Sequence, residues 1–259
     1  MATPIQEKAH KLASLHESGD LIVMPTVWDV WSAQLAADAG FQALTIGSHP
    51  VANAVGKPDG EHQDQQHYFA IARAIAAAVD IPVSLDVESG LGLEPYELVA
   101  KVLEAGVVGV NIEDVVHSEN NRVRTLEEQA NYIAGVRKAA DEAGVELVIN
   151  GRTDAMAWGV EGPYKVEDPV AEALARSLAM EKAGARSVYP VSLKTADQVR
   201  ALTEKLTVPV NVTVDPVAGH PAGATLAELK ELGVRRVSYG PKWQMALEAP
   251  AKEMLAAWL

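Results

Sequence analysis

Asp86 and Glu88 are two carboxylates two positions apart at the end of an otherwise apolar run, Ile81 to Gly92 (IPVSLDVESGLG). Read as a strand, the run alternates faces, with Ser84, Asp86 and Glu88 on one side and Val83, Leu85 and Val87 on the other. Two like charges about 5 Å apart repel by about 3 kcal/mol at an effective dielectric near 20. In a mostly buried setting such a pair needs a bound proton or a cation between its members. A second run, Val108 to Asp114 (VGVNIED), ends similarly, with Asn111 and Glu113 on one face and Val110 and Ile112 on the other. Together the two strand ends read as a divalent-metal site. Oxygen ligands in a chain without cysteine favour Mg2+ or Mn2+ over zinc.

Other polar residues collect at strand ends in the same way. Asn150, Arg152 and Asp154 share a face of one run, and Asn211, Thr213 and Asp215 share a face of another. Each costs a few kcal/mol to bury among Val, Ile and Leu unless it finds a partner. Their convergence on one mouth suits a charged ligand. The competing reading is an internal ion-pair network joining Arg152 to Asp154 or Glu113. His49, His117 and His220 fall in strand-end loops within reach of a ligand, whereas His10, His16, His62 and His67 fall on helices and read as surface groups. Asp59 lies between Pro58 and Gly60, where turn chemistry alone would account for it.

The elements that must carry these residues alternate along the chain. A helix over 3–18 precedes a strand over 21–27, and strand and helix then follow one another to the final helix, which starts near Pro241 and meets a proline at Pro250. Thr125 with Glu128 reads as a capping box, and Asp168-Pro169 as a helix start. Three stretches read as polar loops: 48–61, 117–124 and 158–167. About eight strand–helix units in 259 residues predict an α/β fold of the (β/α)8 TIM-barrel type, as one domain spanning 1–259. A doubly wound sheet would carry a glycine-rich turn after its first strand, and Pro25-Thr26-Val27-Trp28 is unlike one.

Composition narrows the partners. With 48% hydrophobic and 22% charged residues, the chain has the make-up of a soluble globular protein. A net charge of −13 argues against nucleic acid or an anionic membrane as partner, and leaves room for a small anionic substrate held by a metal and local arginines. No run is long enough to span a bilayer, no signal-peptide pattern is present, and the absence of cysteine fits a cytoplasmic location.

The strings Gly56-Lys57-Pro58-Asp59-Gly60, Asp86-Val87-Glu88-Ser89-Gly90-Leu91-Gly92, Asn111-Ile112-Glu113-Asp114 and Gly151-Arg152-Thr153-Asp154-Ala155, in that order, resemble the isocitrate lyase/phosphoenolpyruvate mutase superfamily. The resemblance implies a (β/α)8 barrel with an extra N-terminal helix, and a homo-oligomer (dimer or tetramer) whose C-terminal helix is exchanged between subunits. It also implies Mg2+ and a 2-oxo or 2-hydroxy acid. By position, Asp86, Glu88, Glu113 and Asp59 match the metal-site acids. Gly47 and Ser48 match the loop that holds the substrate carboxylate, Arg152 the arginine that contacts substrate, and Asn211 a substrate-side polar residue.

Departures from the family pattern narrow the activity. Isocitrate and methylisocitrate cleavage uses a cysteine after the fourth strand, where this chain has VVHSENNRVRT. Tyr189-Pro190 is followed by Val191 where those lyases carry a glutamate. The mutase branch has a lysine and an asparagine in its gating loop; Asn120 or Asn121 matches the asparagine, and there is no lysine. What remains resembles oxaloacetate- or phosphonopyruvate-processing relatives. The expected activity is an Mg2+-dependent cleavage or rearrangement of a C–C or P–C bond through an enolate. Arg152, His117 and Asn121 are the expected catalytic residues, with His117 or Arg122 as the group that supplies or takes a proton. The alternatives are a metal-dependent aldolase or phosphate-ester enzyme on the same barrel, or a non-catalytic ligand-binding relative.

Overall fold

The computed structural model describes residues 2–158 and 166–259. Its β segments are β1 Ile22–Met24, β2 Thr26–Val27, β3 Leu44–Ile46, β4 Val83–Asp86, β5 Gly109–Ile112, β6 Val115–Val116, β7 Arg122–Val123, β8 Val148–Thr153, β9 Ser187–Pro190, β10 Asn211–Thr213 and β11 Arg236–Ser238. One parallel sheet runs β2-β3-β4-β5-β8-β9 and a second runs β1-β11-β10. β1 and β2 are a single strand position broken at Pro25, which has no N–H for the ladder, although its carbonyl accepts from Thr45 N–H at 3.0 Å. At the other seam Val188 bridges Val210 in parallel, and Val188 N–H donates to Pro209 O at 3.0 Å. Eight parallel strand positions in chain order, with helices between them, form the (β/α)8 barrel that the alternation predicts.

The two faces of the strands differ in chemistry. Leu85, Val110, Ile112, Ile149, Val188 and Val237 face outward into an apolar layer with Phe69, Ile75, Leu98, Ile133 and Val136 of the surrounding helices. The alternate positions Ser84, Asn111, Asn150, Ser187, Asn211 and Arg236 are polar and equally buried. Strand periodicity therefore sorts the apolar residues to the helices and the polar ones to the barrel interior.

Helix Pro4–Glu17 packs Ala9, Leu12 and Ala13 against Ile22, Met24, Ala43, Val108 and Val148, near the N-terminal ends of the strands. A Cβ on Gly109 would stand 2.9 Å from Leu12 Cδ2, so the glycine lets this helix close the barrel's lower end. That packing corrects the reading of His16 as a surface group: it is 3% exposed, with Nδ1 2.8 Å from Leu12 O. The carbonyl can only accept, so Nδ1 carries the proton. Burial, reinforced by the neighbouring Arg236 charge, pushes the imidazole down to about 3.

Other departures are local. The stretch 48–61, expected as loop, begins with helix Ser48–Ala54, whose Pro50, Val51 and Ala52 are buried; tertiary packing outweighs its polar and glycine-rich composition. The stretch 117–124, also expected as loop, closes an antiparallel hairpin, with Val115 opposite Val123 and Val116 opposite Arg122. Its turn holds Asn120 and Asn121 at φ 56° and 57°, a left-handed conformation that asparagine tolerates. Helix Lys242–Ala256 continues through Pro250. The expected loop 158–167 lies largely outside the described residues. The capping box of Thr125 and Glu128 and the Asp168 cap are both formed. Among the described residues no helix is long and apolar enough to cross a membrane.

Candidate active site

In β4 and β5 Asp86 stands opposite Asn111. The strand ends at Asp86, and Glu88 takes a left-handed φ of 49°, so the alternation that gave Asp86 and Glu88 one face stops before Glu88. Glu88 is held to the next strand by its backbone, its carbonyl accepting from Glu113 N–H at 2.8 Å. That bond sets the two buried glutamates side by side. His117 joins them, and one ligand atom from each of Glu88, Glu113 and His117 lies within 4.8 Å of the others.

Electrostatics in this cluster follow from burial. Burial, then the charges of Asp86, Asp59 and Glu113, push the Glu88 carboxyl up to about 9. Glu113 is raised to about 7 by burial, against the opposing pull of Arg152 and His117. His117 is raised to about 9, chiefly by its bond to Glu113: Nε2 lies 2.7 Å from Glu113 Oε1. Its Nδ1 lies 2.7 Å from Asn121 Oδ1.

Asp86 and Asp59, whose charges also act on Glu88, line a cavity of about 240 Å³ in the barrel mouth, together with Gly47, Ser48, Arg152 and Asn211. Asp86 Oδ1 accepts from Glu88 N–H and from Asn111 Nδ2, both at 3.1 Å, and burial raises its pKa. Asp59 Oδ2 is 3.4 Å from His49 Nδ1. Arg152 joins the two halves. Its Nη1 is 2.5 Å from Glu113 Oε2, while Nε and Nη2 fork onto Asp154 at 2.7 and 2.9 Å. The ion pairs of the competing reading are therefore present, and their shared member Arg152 lines the cavity.

The other expected substrate contacts also reach the cavity. Gly47 N–H is committed to Val27 O at 3.2 Å. Helix Ser48–Ala54 has no side-chain cap and a proline at its third position, which leaves the amides of Ser48 and His49 as donors of its first turn. A Cβ on Gly47 would fall 2.6 Å from Thr26 Cγ2, so this approach requires glycine. Asn211 donates Nδ2 to Ser238 Oγ at 3.1 Å, and its buried Oδ1 has no hydrogen-bond partner among the described residues. Arg122 is turned to the surface, paired with Glu119 and Glu128.

Several residues of the site were not foreseen. Glu61 accepts from Ser89 Oγ through one oxygen and from Ser118 N–H (3.0 Å) and Oγ (2.6 Å) through the other, tying together the loops that follow β3, β4 and β5. Its partners come from two other loops, so no local pattern marks it. Tyr189 and Arg236 line the cavity. Arg236 had a signal: it shares a strand face with Ser238, opposite Val237 of the apolar layer.

The family model of phosphoenolpyruvate phosphomutase matches residues 12–259. A candidate phosphonomutase from Burkholderia cenocepacia J2315 superposes with a TM-score of 0.83 at 37% identity, covering 97% of this chain and 98% of that one. Phosphonopyruvate hydrolase, solved with oxalate and Mg2+, superposes with a TM-score of 0.82 at 25% identity over 96% of this chain and 86% of that one. An oxaloacetate decarboxylase of Pseudomonas fluorescens is 30% identical over 217 residues, 81% of this chain and 70% of the relative. With a barrel of this topology and a family match along nearly its whole length, the chain belongs to the phosphoenolpyruvate phosphomutase family.

Proposed function

We propose that the protein binds Mg2+ or Mn2+ at its acidic strand ends and a small 2-oxo acid, oxaloacetate- or phosphonopyruvate-like, in the adjoining cavity, where it cleaves or rearranges a C–C or P–C bond. The observation that carries this reading is the cluster of buried Glu88 and Glu113 with half-buried His117, beside a cavity lined by Asp86 and Arg152. The residues fit a hard cation: Glu88 Oε2 is buried with no hydrogen-bond partner among the described residues, and carboxylates crowd it on several sides. Glu88, Glu113, Asp86 and Asp59 would hold the ion. When bound, it supplies Lewis-acid stabilisation to charge developing on a substrate oxygen.

The chain's own groups do the remainder. Arg152, fixed by Asp154 and Glu113, presents a charged donor to a carboxylate in the cavity, and the Ser48 and His49 amides offer a second set. Asn211 faces the same space with an unpartnered acceptor. His117, oriented by Asn121, is the proton carrier placed nearest the acids. At about 240 Å³ the cavity lies below the usual range of ligand pockets, ~300–1,000 Å³, which suits a substrate of few carbons. The chain has no cysteine, so this reading excludes the cysteine-dependent lyase chemistry.

The last helix supports an oligomer with helix exchange. It has no buried residue, and Met245, Met254, Leu255 and Trp258 are exposed along and just beyond it.

Turnover of oxaloacetate and phosphonopyruvate with Mg2+, read as pyruvate release or loss of substrate, tests the proposal. Asp86→Ala is expected to abolish Mg2+-dependent turnover with the fold retained. Full activity of that variant in EDTA would overturn the metal role.

A further inference from the structure

Arg236 is 2% exposed, in the barrel wall where it lines the cavity, and its charge acts on the buried His16. From it a row of hydrogen bonds climbs to Asp86. Arg236 Nη1 donates to Ser187 Oγ at 3.3 Å, and Ser187 Oγ donates to Asn150 Oδ1 at 2.8 Å. Asn150 Nδ2 donates to Asn111 Oδ1 at 2.9 Å, and Asn111 Nδ2 to Asp86 Oδ1 at 3.1 Å. Sheet register builds the row: Asp86 pairs with Asn111, Asn111 with Asn150, and Asn150 with Ser187, on four adjacent parallel strands.

The direction of this chain is dictated by its ends. Guanidinium can only donate, so the serine oxygen must accept from it and pass its own hydrogen onward. Each asparagine then receives on its oxygen and donates from its nitrogen, until Asp86 Oδ1, which also accepts from Glu88 N–H, closes the series. Such a series is polarised from the guanidinium toward the Asp86 carboxyl, and each bond strengthens the next. One oxygen of Asp86 is thereby engaged from inside the barrel, leaving the other for the mouth. Partners that lie behind a metal-site carboxylate commonly alter metal affinity 10–100-fold when removed.

We infer that Arg236 is a positioning residue, which through Ser187, Asn150 and Asn111 fixes the Asp86 carboxylate for the cation. The inference rests on the metal site proposed above and deepens it. Its test is Mn2+ affinity, measured by titration calorimetry on the full chain, wild type against Ser187→Ala, Arg236→Met and the double variant. Ser187→Ala removes one hydroxyl, leaves the Arg236 charge in place and keeps the test open if Arg236→Met fails to fold. Each single variant is expected to bind Mn2+ about tenfold more weakly. The double variant should be no weaker than the weaker single one, since both cut the same series. Unchanged affinity in Ser187→Ala, or losses that simply add, overturns the inference and leaves the metal site standing. Weakened oxalate binding with unchanged Mn2+ affinity also overturns it, by making Arg236 a direct anion contact. A wild-type protein that binds no Mn2+ overturns the metal site and this inference together.

Discussion

Arg152 Nη1 lies 2.5 Å from Glu113 Oε2 across neighbouring strands, with both side chains largely out of solvent. The same guanidinium forks onto Asp154, so one cation compensates two buried carboxylates. Arg152→Met would take a buried cationic partner from both acids, and breaking a buried pair from one side typically costs about 3–5 kcal/mol. Denaturant unfolding should register a loss of that order. Arg152→Lys keeps the charge and loses the fork, so it should retain much of the stability while lowering kcat/KM by about 10²-fold. A stable Arg152→Met protein would show that the guanidinium is dispensable to the fold.

Glu61 reaches Ser89 with one oxygen and Ser118 with the other, clamping the His117 turn over the site. Losing these bonds at a half-buried position is expected to cost about 1–3 kcal/mol locally in Glu61→Ala. Hydrogen exchange should quicken in the hairpin segments β6 and β7 and leave the distant strand β10 unchanged. KM should rise more than kcat falls. Uniform protection across β6 and β7 in the variant would remove the clamp.

His16 gives the fold an acid-sensitive component. Its folded pKa, about 3, lies below the ordinary value of 6.5, so below that value the unfolded chain binds a proton that the folded chain refuses. The stability it contributes is present in full above pH 6.5 and is lost as pH falls toward 3. The slope is about 1.4 kcal/mol per pH unit within that window. Urea unfolding of His16→Met between pH 7 and 4 should show a shallower decline than wild type. Parallel curves would mean that the imidazole takes up its proton in the folded state.

Helix Lys242–Ala256 and the residues after it expose Met254, Leu255 and Trp258. Sedimentation of the wild-type protein is expected to give a dimer or tetramer, and the variant Leu255→Asp with Trp258→Ser a smaller species. Equal masses for the two would place the subunit contact elsewhere, or show that none forms.

Much of this protein was legible one residue at a time. Alternation in runs such as VSLD and VGVNI marks strands with an apolar outer face, and eight such runs with intervening helices leave few topologies open. Capping at Thr125 and Asp168 is a local matter, and the chain sets it locally. His16 shows the limit. Helical position alone made it a surface group, and only the docking of its helix against the strand ends buries it.

The composition of the site belongs to the tertiary structure. Extended alternation joins Asp86 to Glu88, yet the left-handed turn at Glu88 carries it toward Glu113 and His117, while Asp86 lines the cavity. Glu61 and Arg236 acquire meaning only through Ser118 and Ser187, 57 and 49 positions away. The sequence alone determined which residue types stand at the strand ends, because local periodicity sets the face on which each side chain lies. Which of them meet was decided by barrel closure, since sheet register and loop docking act between segments that carry no local record of one another.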